Sequence, residues 1–100
     1  MKKFDQDKVA AVVAEVLGRD FEKVRILKVN VAPDHDRDGN DILRIQVVFE
    51  GALKGADARH AAGAVRRLRP VLEEIDVDMF PLLSFVSKLD YERGHGRETF

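Results

Sequence analysis

The stretch DILRIQVVFE, at positions 41–50, is the clearest β-strand pattern in this chain. Every second residue from Leu43 to Phe49 is apolar, and the residues between them are mostly polar. Because successive strand residues point to opposite faces, this alternation predicts a strand with one buried side. Ile42 and Val48 interrupt the polar set on the other side.

A second strand is predicted just before this one, with Leu27, Val29 and Val31 as its alternating apolar residues. Val24 and Ile26 fall out of phase with that set, which predicts either partial cover on both faces or a β-bulge. The polar segment 32–41 then predicts a loop, so that the two strands form an antiparallel hairpin.

An amphipathic helix is predicted before the hairpin. Asp5 or Asp7 is expected to cap it and Gly18 to end it. Its apolar residues recur at helical spacing: Val9, Val12, Val13, Val16 and Leu17.

A second amphipathic helix is predicted after the hairpin, with Asp57 as its cap. Pro70 interrupts it, and we expect there a kink or the start of a second, abutting helix. The apolar stripe consists of Ala61, Val65, Leu68, Leu72 and Ile75.

Residues 81–89 predict a third strand, which completes an α-β-β-α-β order. We therefore predict an α+β fold of two layers, a three-stranded sheet with two main helices on one face, the second kinked at Pro70. The third strand can lie beside the first or the second. We expect one domain over residues 1–91 and a flexible tail over 92–100. The predicted core is Val12, Val16, Leu27, Val29, Leu43, Ile45, Val47, Phe49, Val65, Leu68, Leu72 and Phe85.

Composition excludes several classes of protein. The 100 residues carry a net charge of −1, so nucleic-acid binding would need a local basic patch. The absence of cysteine excludes disulfides and thiolate zinc sites. No apolar run approaches the ~18 residues of a membrane span, and the start lacks an apolar signal core. We expect a cytoplasmic protein without membrane contact.

The sharpest local motif is the acidic loop DHDRDG at positions 34–39. Its acids at alternate positions, followed by glycine, match the first half of a calcium loop. The candidate ligands are Asp34, Asp36, Asp38 and Asp41. Ile45 stands where the bidentate glutamate of such a loop belongs, so the alternative interpretation is a solvated hairpin turn. We expect no bound cofactor, with Ca²⁺ as the alternative.

Basic residues cluster on or near the second helix. They are Lys54, Arg59, His60, Arg66, Arg67 and Arg69. Such a stripe can meet phosphates or an acidic partner. The alternative is a solvated outer face on which Arg69 pairs with Glu73 one turn later.

No catalytic constellation is present in the sequence. Ser87 and Lys88 are adjacent on a predicted strand, so they point to opposite faces and cannot form a dyad. The histidines lack metal-ligand spacing. We therefore expect that this protein is not an enzyme.

The predicted order of elements over residues 9–89 resembles type II KH domains and, among them, the ribosome-binding factor A family. In these proteins a helix leads to a hairpin, then to a helix broken at small residues, then to a strand that starts near a proline. The Ala-x-Gly triplet of that family has a counterpart in Ala61-Ala62-Gly63. The resemblance implies RNA binding along the stretch from Arg59 to Arg69.

The segment FPLLSFVSK, at positions 80–88, is similar to the ends of small bacterial proteins that look like one partner of a toxin-antitoxin-like pair. This second resemblance implies a regulatory, antitoxin-like protein partner.

The favoured function is a non-catalytic protein-protein interaction or regulatory module, with a homodimer as the simplest form. Its surface would be the sheet edge, or an apolar patch on the face away from the helices. That patch would consist of Ile42, Val48 and Ile26, with Leu82 or Val86. The alternatives are RNA binding through the basic second helix and Ca²⁺ binding by the acidic loop.

Overall fold

The structure, a computed structural model, describes residues 5–21 and 23–94. It confirms the α+β class: helices and one three-stranded sheet follow one another in the order α-β-β-α-α-β-α. The elements are α1 (Gln6–Asp20), β1 (Arg25–His35), β2 (Asp41–Glu50), α2 (Ala56–Ala62), α3 (Ala64–Glu74), β3 (Phe80–Ser87) and α4 (Lys88–Gly94).

The sheet has the strand order β1-β2-β3, so β2 is central and β3 lies beside it. β1 pairs with β2 antiparallel, with Val29 opposite Val47, as the hairpin prediction requires. β3 pairs with β2 in parallel, with Phe85 opposite Val47. A parallel neighbour needs a long return connection, and α2 and α3 supply it.

α1 begins where the sequence predicts and ends later. Asp5 is the N-cap, and its carboxylate accepts a hydrogen bond of 3.1 Å from the backbone N–H of Lys8. The expectation that Gly18 ends the helix was wrong, since the helix continues to Asp20. An exposed glycine lowers helix stability by only about 1 kcal/mol, which the buried neighbours Val13 and Leu17 offset.

A β-bulge between Ile26 and Lys28 explains why the apolar residues of β1 do not alternate in a single phase. It turns Ile26 towards the core, opposite Phe49, and leaves Leu27 42% exposed. Of the two predicted alternatives the bulge is therefore correct, and the placement of Leu27 in the core was wrong.

The break in the second helical segment lies at Gly63, not at Pro70. Pro70 is inside α3 on its exposed side, where it removes one helical hydrogen bond without ending the helix. Glycine has the lowest helix propensity of the amino acids after proline. The Gly63 N–H donates the last hydrogen bond of α2, 3.2 Å long, to the Arg59 carbonyl. Asp57 is not the cap either: Gly55 is, with a φ of 61°.

The core lies between β2 and the helices α1 and α3. Half of the predicted core is buried: Leu43, Ile45, Val47, Phe49, Leu68 and Leu72. Val16, Val29 and Phe85 pack against it while partly exposed, and so does Ile26. Each helix presents a slightly different stripe from the predicted one. The buried residues are Val9, Val13 and Leu17 in α1, and Ala64, Leu68 and Leu72 in α3, while Val12 and Val65 are half-buried.

The predicted third strand ends earlier than residue 89. It stops at Ser87, whose hydroxyl oxygen accepts a hydrogen bond of 3.1 Å from the Asp90 N–H and so starts α4. Tyr91 of α4 lies under the Lys28 ammonium, 5.7 Å from its ring centre. Lys28 is the register partner of buried Val48, so α4 reaches the side of the sheet that these two residues share. Within the predicted tail, residues 92–94 belong to α4, and 95–100 lie outside the described residues.

Candidate nucleic-acid interface

A shallow groove of about 540 Å³ runs along the outer side of the junction between α2 and α3. At the helix break its wall is formed by two small residues, Ala62 and Gly63. Arg66 and Arg69 border it one turn apart. The lining is Ala62, Gly63, Val65, Arg66, Arg69, Pro70 and Glu73.

Four predicted basic residues remain exposed, and they are Lys54, Arg59, Arg66 and Arg69. Over the described ranges 5–21 and 23–94, none of the four forms an ion pair with an acid. The predicted pairing of Arg69 with Glu73 is thus not formed. The positive charge along this face is left for a ligand or for solvent ions.

Arg69 instead lies over an aromatic ring. Its guanidinium carbon is 5.4 Å from the ring centre of Phe80, the first residue of β3. Phe80 nevertheless keeps 47% of its surface exposed. The groove is therefore continuous, through Arg69, with an open aromatic side chain.

His60 and Arg67, also predicted as binding residues, are turned inward. Arg67 Nη2 donates a hydrogen bond of 2.6 Å to the His60 carbonyl, which ties α3 to α2 across the break. The His60 ring meets Phe21 edge-on at 6.4 Å. These two residues hold the junction together, and they do not present free charge to a ligand.

Gly63 lies close to the hydrogen bond between Arg67 and the His60 carbonyl. A Cβ atom at this position would lie 3.2 Å from Arg67 Nη1. A larger residue would therefore push on the guanidinium that holds the His60 carbonyl. The absent side chain thus leaves room for the hydrogen bond between Arg67 and the His60 carbonyl.

Three of the four acids of the hairpin loop, Asp34, Asp36 and Asp41, have separate partners. Arg44 Nε donates to Asp34 Oδ2 at 2.6 Å, and His35 Nε2 lies 3.0 Å from Asp41 Oδ1. Within the part of the chain that the structure describes, no three acidic or histidine side chains gather into a group that could hold a metal ion. The candidate ligands Asp34, Asp36, Asp38 and Asp41 are thus not brought together.

Asp36 organises the turn itself. Its Oδ1 accepts hydrogen bonds from the backbone N–H groups of Asn40 at 2.8 Å and Asp38 at 3.0 Å. The Asn40 N–H bond holds the pKa of the Asp36 carboxyl below its ordinary value of 3.8. The Arg44 hydrogen bond, aided by the His35 N–H, does the same to the pKa of Asp34.

The predicted apolar patch on the face away from α1 and α3 does not exist in that form. Ile42 and Val48 are buried, and Ile26 packs into the core. The exposed apolar residues on β3 are Phe80 and Leu82, an aromatic and an aliphatic residue on an edge strand.

Sequence reasoning missed Phe80 and Pro70 as parts of the site. The available signal for Phe80 was its position directly before Pro81, at the start of a strand. The core-facing residues of that strand were already accounted for, so a bulky apolar residue at its start was available for a surface role.

Comparison with known proteins adds no relative. No family model matches the chain, and no curated protein and no solved structure is significantly similar to it. Among the described residues, no helix has the length and apolar character needed to cross a membrane.

Proposed function

We propose that this protein binds single-stranded RNA in the groove that runs along α3 from its junction with α2. The observation that carries the proposal is a pair of exposed arginines, Arg66 and Arg69, which line a groove together with Gly63 and a single acid, Glu73. Among the described residues, neither arginine has an acidic partner.

Electrostatics favours a polyanion at this place. The positive charge of an exposed arginine that lacks an acidic partner is not compensated by the protein, and its planar guanidinium suits phosphate oxygens. The chain as a whole carries −1, so the attraction is local and directs the strand to this one face. Arg59 and Lys54 extend the positive charge towards the start of α2.

The position of the break adds support. It falls at Gly63, within the Ala61-Ala62-Gly63 triplet that has a counterpart in the ribosome-binding factor A family, which the order of elements resembles. That resemblance implies RNA along the same helical junction. The groove is shallow and open, as suits a flexible strand that lies along a surface.

The test is the affinity of the purified chain for a labelled single-stranded RNA pool at several salt concentrations. We expect Arg66→Glu/Arg69→Glu to weaken binding at least about tenfold. The slope of log affinity against log salt should flatten by about 0.7 for each phosphate that the variant no longer neutralises.

Lys8→Glu/Arg93→Glu is the matched control. It makes the same change of net charge at two exposed residues that do not line the groove, and among the described residues neither has an acidic partner. Equal losses in both double variants would mean that RNA responds only to total charge, and the groove proposal would fail.

A protein-protein contact through β3 is the second candidate function. Phe80 and Leu82 are exposed on this edge strand, and an uncovered edge with apolar side chains is open to pairing. Self-association or an antitoxin-like regulatory partner would use this surface. Sedimentation at micromolar concentration and a pull-down scored for protein and for RNA separate this candidate from the first. Leu82→Asn, a polar change without charge, should abolish a dimer and leave RNA binding unchanged.

A further inference from the structure

We propose that Phe80 is a stacking platform for one base of the bound strand, so that the site selects unpaired nucleotides over a duplex. This inference rests on the proposed RNA function and adds to it the recognition of a base.

The geometry joins a phosphate-binding group to an aromatic ring. Arg69 lines the groove and also lies over the Phe80 ring, 5.4 Å from its centre. A phosphate held by Arg66 and Arg69 would therefore place its own nucleotide within reach of that ring. Arginine and phenylalanine planes both stack on bases, and this stacking tolerates any base because each has a π-face.

Phe80 is exposed and yet anchored. It is 47% exposed, whereas the next residue, Pro81, is fully buried opposite Leu43. Proline confines the residue before it to extended backbone conformations, and the parallel pairing of Phe80 with Ile42 holds the strand in place. The ring is thus presented from a rigid strand, and little conformational entropy is lost when a base stacks on it.

An apolar ring at this place has no role in the core. Phe80 is not among the residues that pack there, while Leu83 and Phe85 of the same strand are. A duplex could still approach the arginines, but its bases are stacked internally and cannot cover the ring.

The experiment compares the native chain with Phe80→Leu and Phe80→Tyr. The probes are a single-stranded oligoribonucleotide carrying 2-aminopurine, an abasic oligomer of equal length, and an RNA duplex. We expect the native chain to quench 2-aminopurine fluorescence, because stacking on an aromatic ring does so. Phe80→Leu should lose the quenching and bind the single strand about tenfold more weakly, while Phe80→Tyr retains both.

Two further measurements distinguish a loss of base stacking from a loss of charge and from a change in folding. Affinity for the abasic oligomer and the salt slope should be the same in all three proteins. Leu82→Ala removes an exposed apolar side chain from the same strand and should leave the quenching intact.

Each other outcome overturns the inference and shows which step of it is wrong. If Arg66→Glu/Arg69→Glu weakens binding but Phe80→Leu does not, the groove stands and the stacking platform is wrong. If Phe80→Leu weakens abasic and natural strands equally, the ring acts through Arg69 and not on a base. If the native chain binds no RNA, both proposals fall. If Phe80→Leu loses a protein partner and no RNA, the surface is a protein interface.

Discussion

The backbone N–H of Lys23 donates a hydrogen bond of 2.9 Å to Oδ2 of Asp57, a residue 34 positions later whose surface is only 3% exposed. This bond ties the connection between α1 and β1 to the first turn of α2. On its other side the same connection touches Gly51, where a Cβ atom would lie 2.5 Å from the Lys23 carbonyl oxygen. The segment that leads from α1 into β1 is thus held between the start of α2 and the end of β2.

Replacing Asp57 should destabilise the fold. In Asp57→Ala the Lys23 N–H loses its acceptor in a partly buried place, and we expect a loss of about 1–3 kcal/mol in the free energy of unfolding. Asp57→Asn keeps an oxygen that can accept the bond and should lose less. Urea denaturation measures both, and equal stability of the two variants would show that the carboxylate is not this anchor.

Gly51 should tolerate alanine much less well than Gly39 does. Both have positive φ values, 119° and 85°, so alanine is strained at each by about 1–3 kcal/mol. Only at Gly51 does the added carbon also collide with backbone, since nothing lies within 4 Å of Gly39. Thermal melts should place Gly51→Ala clearly below Gly39→Ala, and matching values would contradict the close approach to Lys23.

The bulge in β1 predicts opposite outcomes for two apolar residues. Val47→Asp buries a charge at a fully buried position and should lower stability by about 3 kcal/mol or more. Leu27→Asp places its charge on a side chain that is 42% exposed, and we expect a change below about 1 kcal/mol. A large loss in Leu27→Asp would mean that the bulge is elsewhere.

The hairpin turn should weaken in acid. The pKa values of Asp34 and Asp36 are both lowered in the folded chain from 3.8. A lowered folded pKa means that the carboxylate contributes stability above pH 3.8, and this is lost as pH falls through the folded value. Carboxyl NMR titrations should show midpoints below that of a free aspartate carboxylate in a model peptide. The Asn40 amide resonance should move with Asp36, and midpoints at or above the peptide value would contradict these hydrogen bonds.

Calcium should not order the loop. Asp34 is engaged by Arg44, and Asp36 by backbone N–H groups, so a cation would have to displace both sets of donors. We expect only gradual amide shifts across residues 34–41 in a calcium titration followed by NMR, as salt screening produces. Saturable shifts at sub-millimolar calcium that vanish in Asp36→Ala would overturn this expectation.

Several elements were predictable because their signals are local. The alternation in DILRIQVVFE defines β2, and Asp5 caps α1 as its position before the apolar stripe predicts. α4 also had a local signal, which went unused: Ser87 followed by Asp90 is a helix-start pattern. The apolar pattern of β3 continues up to this point, and it concealed the change from strand to helix periodicity.

By itself, the sequence determined the α+β class, the hairpin, the central strand and the basic character of the second helical segment, since each depends on periodicity or composition within a few residues. Only the tertiary structure decided that β3 lies parallel to β2, that the helix breaks at Gly63, and that the bulge turns Leu27 outward. It also decided which basic residues line the groove. His60 and Arg67 hold the junction while Arg66 and Arg69 face the groove, because packing between distant segments chooses which side of a helix is covered.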